Sequence, residues 1–383
     1  MKYFDYCATT PLDPEVCRFI DEINNKSFGN PSSIHRFGQN AKSIIEISRR
    51  QLANAIGCKP QEIIFTGSGT EANNIVLWNL VQSEKKHVVI SEIEHPSISD
   101  TLKKLSEFGV TCTAVGVETE GRINPDEITE AIQDDTGLVS VMAANNEIGT
   151  IQPLEKIGQI CEEKQIPFHS DAVQALGKIS VDIREMKVTT LSFSAHKLYG
   201  PKGVGALFVL DQHAMFPLVV GGGQEQGLRA GTENISGIGG FGLAVEIAEK
   251  KIEKEAVRLN GLKNDFLSDL KSKSIDYTIN GHQEFCLPGV ISITFPGISS
   301  DDLLMNLDCE GFAVSGGSAC ASGTPKPSKV LSEIGLSDEQ NKQTLRISFG
   351  RFTSEKDVKE LGEIITEKVD FLLEKRHKEK SIA

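Results

Sequence analysis

From Ala41 onward, apolar residues recur at helical spacing, at Ala41, Ile44, Ile45, Leu52 and Ile56, and Gly57 is placed to end the helix. Short apolar and β-branched runs then alternate with amphipathic stretches. Strands are predicted over 62–66, 87–91, 138–143, 166–169, 190–194 and 205–210, and helices over 71–82, 97–107, 125–133 and 154–164. That rhythm predicts an α/β fold built on a mostly parallel sheet. The polar residues say more than the rhythm. Ser68 and Thr70, His95, Asn146, Asp171 and Lys197 each follow the carboxyl end of a different predicted strand. Open α/β sheets bind ligands outside those ends, so the pattern predicts one polar crevice. Past about residue 250 the alternation gives way to a long charged helix over 248–270 and short strands over 289–295 and 345–349. A final amphipathic helix carries Val358, Leu361, Ile365, Val369 and Leu372 on one face, with Thr353 or Ser354 as its cap. This predicts a smaller α+β domain that begins near Glu253.

Composition narrows the class. A chain of 383 residues is long enough for two domains. A net charge of −13 argues against direct nucleic-acid binding, which needs a basic surface. No apolar run approaches membrane-spanning length, and the first residues lack the apolar core of a signal peptide. No membrane partner is expected, and the expected location is cytoplasmic. The eight cysteines form no Cys-x-x-Cys pair, so neither a zinc ribbon nor any other metal site is expected. Seven of them read as small buried hydrophobes; Cys320 does not.

Candidate chemistry gathers at the strand ends. Lys197 closes the run Ser194-Ala195-His196-Lys197 just past a strand. Burial there lowers the pKa of an ammonium, and a neutral amine condenses with an aldehyde. Asp171, at the end of the preceding strand and followed by Gln174, is suited to hold a protonated ring nitrogen, as pyridoxal 5'-phosphate (PLP) requires. Gly67-Ser68-Gly69-Thr70-Glu71-Ala72 links a strand to a helix, and backbone N–H groups at a helix start suit an anion. Thr70, Ser194 and His196 add donors for a single phosphate. The same turn also fits a loose dinucleotide fingerprint, with Glu92 about twenty residues on, which leaves a dinucleotide-binding protein as an alternative. A second glycine-rich run, from Gly221 to Asn234, reads as a loop passing close to a ligand or a second subunit. Cys320 stands among small residues only, from Ser315 to Gly323, where no regular structure is favoured. A thiol on such an arm can enter a pocket as nucleophile and carry its cargo out.

Assembled, these residues resemble the cysteine desulfurases of the NifS/IscS type, in the class V aminotransferase group of fold-type I PLP enzymes. The likeness runs from Tyr3 to about Thr353. It rests on Phe28-Gly29-Asn30-Pro31-Ser32-Ser33, Glu94-His95, Asn145-Asn146-Glu147-Ile148-Gly149, Asp171-Ala172-Val173-Gln174, Ser194-Ala195-His196-Lys197, Gly231-Thr232-Glu233-Asn234 and Ser318-Ala319-Cys320. The resemblance implies a large domain over 13–252 with a mostly parallel seven-stranded sheet. A small domain comprises 1–12 and 253–383 and carries a mobile cysteine loop over about 315–329. It further implies that Lys197 binds PLP and moves protons, that His95 stacks on the ring as acid/base, and that Asp171 pairs with the ring nitrogen. Gln174 contacts the phenolic oxygen. Gly69, Thr70, Ser194 and His196 hold the phosphate, with Thr232 supplied by the other subunit of a homodimer, and Asn146 and Arg346 hold the substrate carboxylate. The implied reaction converts L-cysteine to L-alanine, with sulfur passing to Cys320 as a persulfide. A sulfur-acceptor protein follows, either an iron-sulfur scaffold or a tRNA-thiolation enzyme. A selenocysteine lyase or another class V aminotransferase is the alternative. Three features depart from the family pattern: Ala195 where many members have Gly, Cys7 where Ser or Asn is usual, and a short tail where some relatives dock a scaffold.

Overall fold

The computed structural model describes residues 1–316 and 327–382. After a two-residue strand, β1 (Lys2–Tyr3), the chain builds β2 (Ile63–Thr66), β3 (His87–Ser91), β4 (Thr111–Val115), β5 (Thr136–Ser140), β6 (Phe168–Asp171), β7 (Thr190–Ser194) and β8 (Gly205–Val209). These seven form one sheet in the order β2-β8-β7-β6-β5-β3-β4. Only β8 runs against the rest, antiparallel to both β2 and β7. The carboxyl ends of β2, β3, β5, β6 and β7 therefore meet at one edge.

All residues of β3, β7 and β8 are buried, as expected of strands covered on both faces. Period-two alternation divides them between two cores. Phe65, Val89, Val139 and Phe208 face one helical layer, whereas Ile64, Val88, Leu138 and Leu207 face the other. The strand absent from the sequence prediction is β4. It lies at the sheet edge with Thr111 and Cys112 exposed, so its sequence carries no continuous apolar run.

The helix predicted from Ala41 begins earlier, at Arg36–Ile56, because His35 accepts a bond from the Gly38 N–H at 3.3 Å. Gly57, at φ 75°, ends it as expected. The helix predicted over 248–270 is two helices, Ile235–Glu249 and Ile252–Ser272. The first contains Gly237, Gly239, Gly240 and Gly242, poor helix formers that hide it from propensity. Packing overrides propensity here. A Cβ on Gly242 would sit 2.6 Å from the Ser48 Cβ, so the glycine lets this helix lie directly on Arg36–Ile56.

A second, antiparallel sheet contains β9 (Thr278–Asn280), β10 (Val290–Thr294), β12 (Ser315–Gly316) and β13 (Thr344–Ser348), in the order β12-β13-β10-β9. It packs on Ile252–Ser272 and on the last helix, Glu355–Ile382, through a separate core that includes Phe266, Phe295, Leu345, Ile347, Leu361 and Ile365. Ser354 starts that last helix by a reciprocal cap: its Oγ accepts from the Asp357 N–H at 3.1 Å, and Asp357 accepts from the Ser354 N–H at 3.2 Å. The N-terminal residues join this second core. Phe4 lies within it, and β1 pairs with β11 (Phe312–Ala313). Among the described residues no helix is long and apolar enough to cross a membrane.

Candidate active site

A cleft of about 280 Å³ opens at the carboxyl edge of the large sheet. Asp171, the last residue of β6, forms its floor. Its Oδ2 accepts from Asn73 Nδ2 at 2.7 Å and its Oδ1 from the Val173 N–H at 3.0 Å. These donors stand in for water around a carboxylate that is only 6% exposed. Lys197 follows β7 in the short turn Ala195–Lys197 and donates from Nζ to the carbonyl oxygens of Cys7, at 2.7 Å, and Ala8, at 2.8 Å.

His95 caps the helix Pro96–Leu105 through its ring. The Ser97 N–H donates to Nδ1 at 3.1 Å, and Ser97 Oγ lies 2.8 Å from the same nitrogen. Nδ1 is thus an acceptor, and the proton of the neutral ring sits on Nε2. Burial lowers the His95 pKa, against the pull of Asp171. Gln174 is clamped at both ends of its amide. Oε1 accepts from Lys178 Nζ at 2.6 Å, and Nε2 donates to the Cys7 carbonyl at 2.9 Å. Lysine only donates, so the clamp sets which end of the amide is nitrogen. Burial lowers the Lys178 pKa.

The corner expected to take an anion is the start of the helix Gly69–Trp78. Ser68 caps it, accepting from the Glu71 N–H at 3.1 Å. A Cβ on Gly69 would lie 2.6 Å from Val173 Cγ2, so glycine is what lets the first turn rest against the end of the Asp171 strand. Thr70, Ser194 and His196 border the same corner. Burial, followed by the neighbouring Lys197 charge, pushes the His196 pKa down to about 4, which leaves its ring neutral.

The opposite wall comes from the second sheet. Arg346, on β13, is 2% exposed; it donates to the Asn146 carbonyl at 2.9 Å and to Asp5 Oδ1 at 2.6 Å. Its Nε is buried with no partner among the described residues. A guanidinium with donors to spare, beside Asn146, suits a carboxylate.

The structure therefore brings Gly69, Thr70, His95, Asn146, Asp171, Gln174, Ser194, His196, Lys197 and Arg346 to one cleft. Thr232 is not brought there; it stands exposed in the loop before the helix Ile235–Glu249. Cys320 lies outside the described residues. The glycine-rich run from Gly221 holds two successive non-glycine residues at positive φ, Glu225 at 44° and Gln226 at 59°. Glu225 is pinned there by Arg49, at 2.7 and 2.8 Å, and by the Phe65 N–H at 2.7 Å. Asn73, Ser97, Asp5 and Lys178 were missed by the sequence reading. Asn73 left a trace, a polar residue among Ala72, Ile75 and Val76 on the inward face of its helix, but nothing in the chain order names its partners.

Residues 2–361 match the Aminotransferase class-V family. The chain is 42% identical over 359 residues to the cysteine desulfurase IscS of Dictyoglomus turgidum, covering 93% of this chain and 91% of that one. A solved NifS-like protein superposes with a TM-score of 0.91 at 34% identity, over 97% of this chain and 99% of the other. The solved complex of SspA with cysteine gives a TM-score of 0.81 at 34% identity, over 92% and 100% of the two chains. The chain belongs to the aminotransferase class-V family, and within that family to the cysteine desulfurases.

Proposed function

We propose that this cysteine desulfurase uses PLP bound at Lys197 and takes the substrate sulfur onto Cys320 as a persulfide. The observation that carries the second half is the root of the Cys320 segment. Ser315 and Gly316 pair with Arg346 and Leu345 on adjacent strands. Cys320 follows Gly316 by four residues, which bounds its tether at roughly 14 Å of extended chain. The thiol is thus tethered to the strand that pairs with the one carrying Arg346.

The cleft suits PLP by the chemistry of its donors. A hydrogen-bonded carboxylate forms the floor, an amine stands at the rim, and a capped helix start with Thr70, Ser194 and His196 waits for a phosphate. Bound there, PLP supplies an aldehyde for the amine and a protonated ring that withdraws electrons. Asp171 would hold the proton on the ring nitrogen, Gln174 would offer N–H to the phenolic oxygen, and His95 would pack against the ring. Arg346 and Asn146 orient L-cysteine by its carboxylate, and Lys197 Nζ takes the proton from its Cα. The Cys320 thiolate attacks the substrate sulfur. The carbon–sulfur bond breaks with its electron pair left on carbon, that carbon takes up the proton given up by the Cys320 thiol, and Lys197 returns a proton to Cα. One L-cysteine and one enzyme thiol thereby yield one L-alanine and one enzyme persulfide.

The same reading extends to assembly. Phe28 is 68% exposed and Ile34 94%, and the rings of Phe28 and Phe37 stack at 5.3 Å on the surface. A second copy of the chain covers such a patch and brings its own Thr232 to the phosphate corner. We assign residues 13–252 to the large domain, and 1–12 with 253–383 to the small one. The persulfide passes to an acceptor protein, an iron-sulfur scaffold or a tRNA-thiolation enzyme, in the cytoplasm.

The test is alanine release from L-cysteine by wild type and Cys320→Ala, with mass spectrometry for a persulfide at Cys320 and a borohydride-stable adduct at Lys197. Loss of alanine release in the variant is expected. Undiminished release, or an adduct at another lysine, sinks the reading.

A further inference from the structure

Three buried side chains at the cleft go unused in the reaction as described: Asn73 and Ser97, which line it, and His169 behind them. Asn73 and His169 are both 0% exposed, and Ser97 is 7% exposed. Asn73 stands at the centre. Its Nδ2 has two hydrogens and both are used, one on Asp171 Oδ2 at 2.7 Å and one on Ser97 Oγ at 2.8 Å. Its Oδ1 lies 3.1 Å from His169 Nε2. The amide cannot be turned over, because a carboxylate only accepts. His169 is neutral, since burial pushes its pKa down to about 4, and its Nδ1 is occupied by Thr190 Oγ1 at 2.9 Å. His169 therefore donates to Asn73.

Ser97 completes the chain of bonds. Having accepted from Asn73, its hydroxyl has one proton left, and His95 Nδ1 is 2.8 Å away. One amide thus reaches both groups that would flank a bound ring, the carboxylate below it and the imidazole above. Asn73 and His169 are fully buried, and a buried polar group that loses its partner is costly.

We infer that Asn73 is a positioning residue that ties Asp171 to His95, holding the carboxylate as an acceptor and the imidazole as an Nε2–H donor. The inference rests on the reading that a cofactor ring lies between them. Without the amide, Asp171 loses one of its two donors, and its oxygen is no longer held in place. Ser97 then turns freely, and His95 Nδ1 keeps only the Ser97 N–H of its two partners.

The experiment uses full-length, PLP-loaded protein. The pH midpoint of the yellow cofactor absorption and the kinetics of L-cysteine-dependent alanine release are measured for wild type, Asn73→Leu and Ser97→Ala. Asn73→Leu touches both arms. It is expected to move the absorption midpoint by about one unit and to lower kcat by about a hundredfold with KM little changed. Ser97→Ala cuts only the arm to His95. It is expected to leave the midpoint in place and lower kcat about tenfold. An Asn73→Leu enzyme with the wild-type midpoint and kcat overturns the inference, as does a Ser97→Ala midpoint shifted as far as that of Asn73→Leu. If Asn73→Leu does not fold, Ser97→Ala decides: a lowered kcat with a wild-type midpoint supports the tie, and a wild-type kcat refutes it. Wild-type protein with no borohydride-stable adduct at Lys197 overturns the cofactor reading, and this inference with it. A normal adduct with unaltered variants overturns the inference alone.

Discussion

Two carboxyl groups buried near the same strand ends are served differently by hydrogen bonds. Asp171 has a donor on each oxygen. Glu94 has two on Oε1, from the Ser91 hydroxyl at 2.6 Å and the Met142 N–H at 2.8 Å, and none on its buried Oε2. Burial pushes the Glu94 pKa up to about 8. The unfolded chain ionises this group in the ordinary carboxylate range. Unfolding therefore releases a proton between that range and about pH 8, and stability is lost as pH rises through the window. Glu94→Gln, which keeps the acceptor at Oε1, should raise the thermal midpoint at pH 8 and change it little near pH 4, as read by scanning calorimetry. Arg346 makes the opposite demand. Its fork serves Asn146 and Asp5 and still has Nε to offer, so a lysine cannot replace it. Arg346→Lys should raise KM for L-cysteine by about tenfold or more in steady-state assays. Lys197, Asp171 and His95 were legible because each ends a strand or follows one. Asn73 and Lys178 were not, because the worth of a buried polar group depends on partners from other elements.

At the scale of elements, the loop over 145–149 joins the cleft to the segment that follows Cys320. Asn146 offers its carbonyl to Arg346, while the next residue, Glu147, accepts from the Ser328 hydroxyl. Ser328 is the cap of the helix Lys329–Glu333, accepting from the Leu331 N–H at 3.2 Å, and it exchanges bonds with Asn341 at 2.9 and 2.8 Å. Lys329 pairs with Glu92. The described residues that follow the Cys320 segment are thereby fastened to the Asn146–Arg346 corner of the cleft. Ser328→Ala should slow persulfide formation at Cys320 about tenfold in single-turnover mass spectrometry, without changing the affinity for L-cysteine. Most of the strands were readable from apolar runs. The edge strand β4 and the helix Ile235–Glu249 were not: an exposed edge needs no apolar run, and glycines that permit close packing look like helix breakers in a single chain.

At the scale of the molecule, the cleft belongs to neither sheet alone. The large sheet supplies Asp171 and Lys197, the second sheet supplies Arg346, and the N-terminal residues cross between them. Asp5 bonds Arg346, while the Cys7 and Ala8 carbonyls receive Lys197. Thr232, away from its own cleft, gives the proposed dimer a direct test. A Lys197→Ala chain and a Thr232→Ala chain each spoil a different half of a site. Mixed and reassembled, they should regain activity in about a quarter of the sites, because a hybrid dimer contains one site with both residues intact. No gain over the separate variants would place Thr232 outside the partner's site.

The sequence by itself determined the α/β alternation, the strand ends that carry Asp171, His95 and Lys197, and the glycine turn before Thr70. These follow from local periodicity and from the rule that places ligands beyond strand ends. Only the tertiary structure decided that the carbonyls of Cys7 and Ala8 receive Lys197, that Arg346 closes the cleft from another sheet, and that one buried amide at Asn73 serves two groups. Those contacts join residues from 24 to 341 positions apart, and what selects them is the need of buried polar atoms for partners once water is gone.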